Sequence, residues 1–189
     1  MDFIQSLDKG LLNLINTVWT HPWLDAFFPA ITDLHKVLWF QILAIILIAG
    51  FYIKKYKRQA FFVFMSLILA LSVSDLIGNH LFKKVFERKR PGDVSNNSVI
   101  VRSPYGGYSF VSNHATNMFC IAKFSGDLVP QLRLPLYAAA FVAGYSRIYN
   151  GVHYPTDVFA GALLGYVIGL IFNRLCKLIL LRFSRKPKL

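Results

Sequence analysis

The chain alternates between long apolar runs and short polar breaks. Five runs stand out: Val37 to Ile53, Ala60 to Phe82, about Ser112 to Val129, about Leu134 to Tyr149, and Pro155 to about Leu181. Each approaches or exceeds the length that an α-helix, rising about 1.5 Å per residue, needs to cross about 30 Å of hydrocarbon. The pattern therefore predicts five membrane-spanning helices. The region before them differs. Leu7, Leu11, Leu12, Leu14 and Ile15 make one helical apolar face, and Pro22 and Pro29 break the helical pattern beyond it. Residues 1–34 read as an amphipathic helix with a short first span, or as a helix lying flat on the membrane. The expectation is an all-α polytopic bundle of about six helices, forming one domain over residues 1–189 with no internal repeat.

Composition agrees. Of 189 residues, 55% are hydrophobic and 16% are charged, and mean hydropathy is +0.46. A soluble domain is nearer a quarter charged. Disorder, a disulfide scaffold and a water-soluble globule are all disfavoured. The net charge of +12 would suggest nucleic acid in a soluble protein. In a membrane protein it reads first as loop charge and second as affinity for anionic lipid, so no nucleic-acid partner is expected. Cys120 and Cys176 lie in apolar runs and read as free, buried and structural. Trp19, Trp23 and Trp39 read as interface anchors. The acidic, amphipathic N-terminus lacks the basic start of a signal peptide.

Counting spans assigns the loops to two faces. Lys54, Lys55, Lys57, Arg58, Arg133, Arg182, Arg185, Lys186 and Lys188 share one face, which the positive-inside rule makes cytoplasmic. The loop 83–111 and the turn 147–154 lie on the other face. That second face carries Lys83, Lys84, Arg88, Lys89, Arg90, Arg102 and Arg147, against the rule. An anionic substrate accounts for the excess.

Three segments with chemical potential converge on this second face: Lys83 to Pro91, Tyr108 to His114, and Ser146 to Asp157. Pro155 marks a helix start, so Asp157 falls in the first turn. There it can accept a hydrogen bond from His153, leaving the other imidazole nitrogen as a nucleophile. Ser112, Asn113 and His114 open another helix. Its unpaired N–H groups favour anions, Ser112 can cap it, and His114 can act as a general acid. Lys83, Arg90 and Arg147 supply cations, while Lys84, Arg88 and Lys89 read as a solvated loop or as head-group contacts. The set suits phosphoryl transfer, which depends on positioning and on charge neutralisation. Asp75, inside a span and two turns before Lys83, is expected to pair with a motif lysine or arginine or to set helix packing. Gly161, Gly165 and Gly169 form a small-residue packing stripe. Tyr105 to Tyr108 reads as a turn.

The patterns Lys-x6-Arg-Pro, Ser-x-His and Ser-Arg-x5-His-x3-Asp resemble, in order and spacing, the three motifs of the type 2 phosphatidic acid phosphatase (PAP2) superfamily, which includes membrane lipid phosphate phosphatases and relatives of the haloperoxidases. One departure is visible: a middle motif that commonly reads Pro-Ser-Gly-His is Val111-Ser112-Asn113-His114 here. The resemblance implies that His153 attacks phosphorus to form a phosphohistidine, Asp157 orients it, and His114 protonates the leaving oxygen and then activates water. It further implies that Lys83, Arg90, Arg147, Ser112 and the Asn113 amide hold the phosphate, without a metal or cofactor. By analogy with small bacterial relatives, undecaprenyl diphosphate is the leading substrate expectation. Phosphatidylglycerophosphate, phosphatidic acid and lipid A 1-phosphate are alternatives. The active site would face outward from the cytoplasmic membrane. Two rival readings remain at this point: a lipid-phosphate binder or transporter without turnover, and a metal hydrolase built on His114, His153 and Asp157.

Overall fold

The computed structural model describes residues 2–34, 37–94 and 98–184. Its helices are α1 (Asp2–Asn13), α2 (Pro22–Asp33), α3 (Leu38–Tyr56), α4 (Ala60–Leu76), α5 (Lys83–Phe86), α6 (Pro91–Val94), α7 (Asn113–Leu128), α8 (Arg133–Tyr149) and α9 (Pro155–Ser184). The protein is all-helical, as expected. Each of the five apolar runs forms one long helix, and the turns between them fall at the polar breaks. The six-helix expectation is met by α2, α3, α4, α7, α8 and α9, with α1 an additional amphipathic helix. The run from Ala60 does not stay regular: Ile77–Phe82 widens into a π-helical turn before α5. Wide turns of this kind recur at functional sites.

α7 and α9 form the centre. The glycine stripe on α9 lies against the α7 backbone, as its spacing predicts. A Cβ at Gly165 would fall 2.0 Å from the Thr116 carbonyl oxygen, and those at Gly161 and Gly169 would fall 2.6 and 2.7 Å from the Ser112 and Cys120 oxygens. No side chain fits there, so the two backbones approach as only small residues allow. This approach also sets the start of α7 beside the start of α9.

The bundle has two unlike ends. At one, Tyr52, Val63, Leu67, Phe124, Leu128, Cys176 and Leu180 pack together. Lys55 Nζ donates there to the Leu128 carbonyl, close to the linkers 57–59 and 130–132. Arg185, Lys186 and Lys188, counted on this face, lie outside the described residues. Both cysteines are free and buried. The other end carries the loop 83–111 and the turn before α9.

The N-terminal region belongs to that second end. Asn16 Nδ2 donates to the carbonyls of Ile100 and Tyr149, and Asn16 Oδ1 accepts from the Ile100 N–H. Arg102 pairs with Asp25 at 2.7 Å and donates to the Asn16 and Tyr149 carbonyls. Phe28 packs on Tyr145 and Tyr149 of α8. With 12 residues, α2 is about 18 Å long. It packs on the final turns of α8. Phe3, Ile4, Leu7 and Leu11 of α1 and the three tryptophans remain exposed.

Candidate active site

The turn from α8 into α9 builds the centre of the site. Gly151 has φ +71°, the left-handed region that glycine adopts without strain, and lets the chain reverse. Val152 and His153 then donate backbone N–H groups to the Arg147 carbonyl. Pro155 starts α9, and Asp157 accepts the Tyr154 N–H at 2.9 Å. His153 is 2% exposed and Asp157 is fully buried.

His153 stands between a carboxylate and a guanidinium. Its Nδ1 lies 3.6 Å from Asp157 Oδ2, and its Nε2 lies 3.1 Å from Arg90 Nη1. An arginine can only donate. Nε2 is therefore the acceptor, Nδ1 carries the proton, and the lone pair sits on Nε2. Burial, opposed by the facing Asp157 carboxylate and reinforced by the charges of Arg90 and Arg147, lowers the His153 pKa to about 4. The imidazole is neutral at pH 7.

Arg90 is buried and fully engaged. Nε donates to the Gly107 carbonyl, Nη1 to the Val152 carbonyl and to His153, and Nη2 to the Gly106 and Tyr108 carbonyls. The segment read as a turn thus holds the guanidinium against the imidazole. Arg147, from the last turn of α8, is also buried. The charges of Arg90 and Arg147 both reach Lys83. Three cations and one imidazole, separated widely along the chain, occupy one region.

The opposite wall comes from α4, α5 and α7. Lys83 Nζ donates to Asn79 Oδ1 at 3.0 Å, and Asn113 Nδ2 donates to the same oxygen at 2.9 Å. Asn113, where the family commonly has glycine, thereby joins the lysine wall. Ser112 occupies the N-cap position, but its side chain makes no capping bond. Its hydroxyl is buried and has no hydrogen-bond partner among the described residues. His114 lies in the first turn of α7, half-buried.

Three expectations need correction or narrowing. Arg88 is not a solvated loop residue, as Lys84 and Lys89 are. It pairs with Asp157 Oδ1 and Asp8 Oδ2, each at 2.6 Å, because two buried carboxylates outcompete water for it. The Ser112 side chain does not cap α7, since its backbone serves instead: its N–H donates to the Asp157 carbonyl and its own carbonyl accepts from Thr116. Asp75 accepts from Asn117 Nδ2 of α7 at 2.9 Å, which makes it a link between α4 and α7.

Asp8, Asn79 and Ser109 escaped the sequence reading. Ser109 donates to Asp157 Oδ2 and sits three residues before Ser112, a spacing that carries no signal by itself. Asn79, four residues before Lys83 on one helical face, was the one open to detection. Among the described residues no group of three metal-ligating side chains converges.

Comparison with known proteins agrees with this geometry. The family model described as the PAP2 superfamily matches residues 59–178. The lipid A 4'-phosphatase of Porphyromonas gingivalis is 30% identical over 89% of this chain and 72% of its own length. That of Bacteroides thetaiotaomicron is 30% identical over 91% and 78%. Among solved structures, LpxE of Aquifex aeolicus aligns with TM-score 0.70 and 30% identity over 89% of this chain and 95% of its own. The transmembrane PAP2-type phosphatidylglycerolphosphate phosphatase of Bacillus subtilis aligns with TM-score 0.68 and 26% identity over 99% and 90%. A site of this composition, on a fold shared with these proteins, establishes the chain as a member of the PAP2 superfamily and an integral membrane lipid phosphatase.

Proposed function

We propose that the protein removes a phosphate from a lipid A-type glycolipid through a phosphohistidine at His153, with its site on the outer face of the cytoplasmic membrane. The observation that carries the chemistry is the buried His153 with its lone pair on Nε2, aimed at the cationic region. Substrate phosphate enters between Arg90, Arg147 and Lys83, with the unpartnered Ser112 hydroxyl and the amides at the start of α7 completing its cradle. As phosphorus approaches Nε2, the Arg90 N–H that capped the nitrogen turns to a phosphate oxygen. Nε2 attacks in line, the bond to the lipid oxygen breaks, and His114 donates a proton to that oxygen. Asp157 stabilises the positive charge that develops on the imidazole. Water, deprotonated by His114, then attacks the phosphohistidine, releases inorganic phosphate and restores His153.

Lys54, Lys55, Lys57, Arg58 and Arg133 gather at the opposite end, which favours an outward-facing site under the positive-inside rule. The exposed Leu81, Val85 and Phe86 flank Lys83 and suit entry of substrate sideways from the bilayer. The preference for lipid A rests on the two relatives named for its 4'-phosphate. Undecaprenyl diphosphate, foremost in the sequence reading, becomes the second candidate. An undecaprenyl-diphosphatase of Sulfolobus acidocaldarius is 26% identical over 72% of this chain.

The experiment is phosphate release by the purified protein from a panel of lipid A, undecaprenyl diphosphate, phosphatidylglycerophosphate and phosphatidic acid, with chelator present. Turnover highest on lipid A and unaffected by chelator is expected. Preference for undecaprenyl diphosphate overturns the substrate, and loss of turnover with chelator overturns the mechanism.

A further inference from the structure

The buried carboxylate of Asp8 has no place in the three motifs, yet it reaches the catalytic dyad through one side chain. Asp8 is 1% exposed although it stands on an amphipathic helix whose Phe3, Ile4, Leu7 and Leu11 face outward. Its Oδ1 accepts the Thr156 N–H at 2.9 Å, and its Oδ2 accepts from the Thr156 hydroxyl and from Arg88 Nη2. The same guanidinium donates through Nη1 to Asp157 Oδ1 at 2.6 Å and to Thr156 Oγ1 at 2.8 Å, and it lies 4.0 Å over the Tyr154 ring. Asp157 in turn faces His153 Nδ1. A continuous line of charge therefore runs from α1 to the nucleophile: Asp8, Arg88, Asp157, His153.

We infer that Asp8 and Arg88 are positioning residues for the phosphatase reaction, Asp8 anchoring Arg88 so that the guanidinium orients Asp157 without neutralising its pull on His153. The inference rests on the reading of His153 as the nucleophile. Two carboxylates share one guanidinium, so the trio keeps a net charge of −1, and that residual charge faces the imidazole. Without Asp8 the trio is neutral, the pull on the His153 proton weakens, and neutral imidazole persists to lower pH. Without Arg88 the trio is −2, and His153 holds its proton to higher pH. The other charges facing these groups are Arg90 and Arg147 at His153, and Asp93 toward Arg90 and Tyr154. Neither variant alters them. α1, with its apolar side turned outward, is thereby tied to the geometry of the site.

The test is the acid limb of kcat/KM, with the His153 titration followed in parallel by 15N-histidine NMR of the folded protein in detergent. Arg88→Gln should raise the limb by about one pH unit, Asp8→Asn should lower it, and the double variant should return toward the parent. Arg88→Lys, which keeps the charge, should leave the limb within about 0.3 units of the parent while lowering kcat. Asp8→Asn should lower kcat about tenfold with KM changed less than about twofold. Limbs of Arg88→Gln and Asp8→Asn that coincide with the parent, or move in the same direction, overturn the inference. A role confined to packing would lower stability without opposed shifts. Either single variant decides the question if the other does not fold. A parent protein inactive on every lipid phosphate would instead sink the proposed function, and the NMR titration would still test the relay.

Discussion

The two walls of the site are built differently. The wall around His153 is closed: His153, Asp157 and Arg90 are at most 4% exposed, and Arg90 directs all its N–H groups at carbonyls or the imidazole. The wall from α4 and α7 is more open, with Lys83, Asn113 and His114 half-buried and Asn79 exposed. One side holds the proposed nucleophile, His153, in a single geometry. The other is where the proposed mechanism would seat the phosphate and the leaving group of a lipid. The difference separates what every phosphoryl transfer needs, an aligned lone pair in a low-dielectric setting, from what distinguishes one lipid from another.

Substitutions sharpen that contrast, and the closed wall should give the larger effects. His153→Asn should lower kcat/KM by about 10⁴-fold or more while leaving vanadate or inorganic phosphate binding detectable by calorimetry. Full loss of binding together with turnover would point to collapse of the site. Asp157→Asn should cost about 10³-fold in kcat, since the amide supports the wrong tautomer and removes the negative charge that faces His153. On the open wall, Ser112→Ala should lower kcat/KM about tenfold and leave the melting temperature equal or higher, because the removed hydroxyl has no partner among the described residues of the free protein. A lower melting temperature would mean that Ser112 has a structural bond. Asn113→Gly, which restores the commoner family residue, should change phosphate turnover by less than about fivefold if the backbone N–H is what contacts phosphate.

Acid stability draws the same line. His153 is buried neutral, with a pKa lowered to about 4 against about 6.5 when unfolded. The unfolded chain binds the extra proton between those values, so stability is full above pH 6.5 and falls as pH drops toward 4. His153→Gln should flatten the decline in melting temperature across that window, and an unchanged decline would place the titration elsewhere.

The long apolar runs were legible because a bilayer imposes a minimum length and a low charge density on every span, so α3, α4 and α9 follow from hydropathy, whereas α7 and α8 are shorter and more polar. Loop parity then put the three motifs on one end, and the spacing His-x3-Asp across a helix start put Asp157 beside His153. Arg88 was not legible for the opposite reason. Lys84, Arg88 and Lys89 belong to one basic segment, and only pairing with Asp8 and Asp157, 80 and 69 residues away in sequence, decides which cation turns inward. Asp8 itself is one acid on an amphipathic helix, where the default position is solvent. The N-terminal region was ambiguous because a 12-residue apolar helix such as α2 satisfies the pattern of a short span and of a packed helix alike. The structure adds the contacts of Phe28 with α8 and of Asn16 with the loop at residue 100.

The central claim is that Nε2 of His153 forms a bond to phosphorus. The most direct measurement is rapid acid-free quenching of the enzyme during turnover of 32P-labelled lipid phosphate, followed by peptide mapping. The account predicts a base-stable, acid-labile label on the peptide containing His153, absent from His153→Asn. Label on another residue, or turnover at full rate with no labelled protein at any quench time, would contradict it.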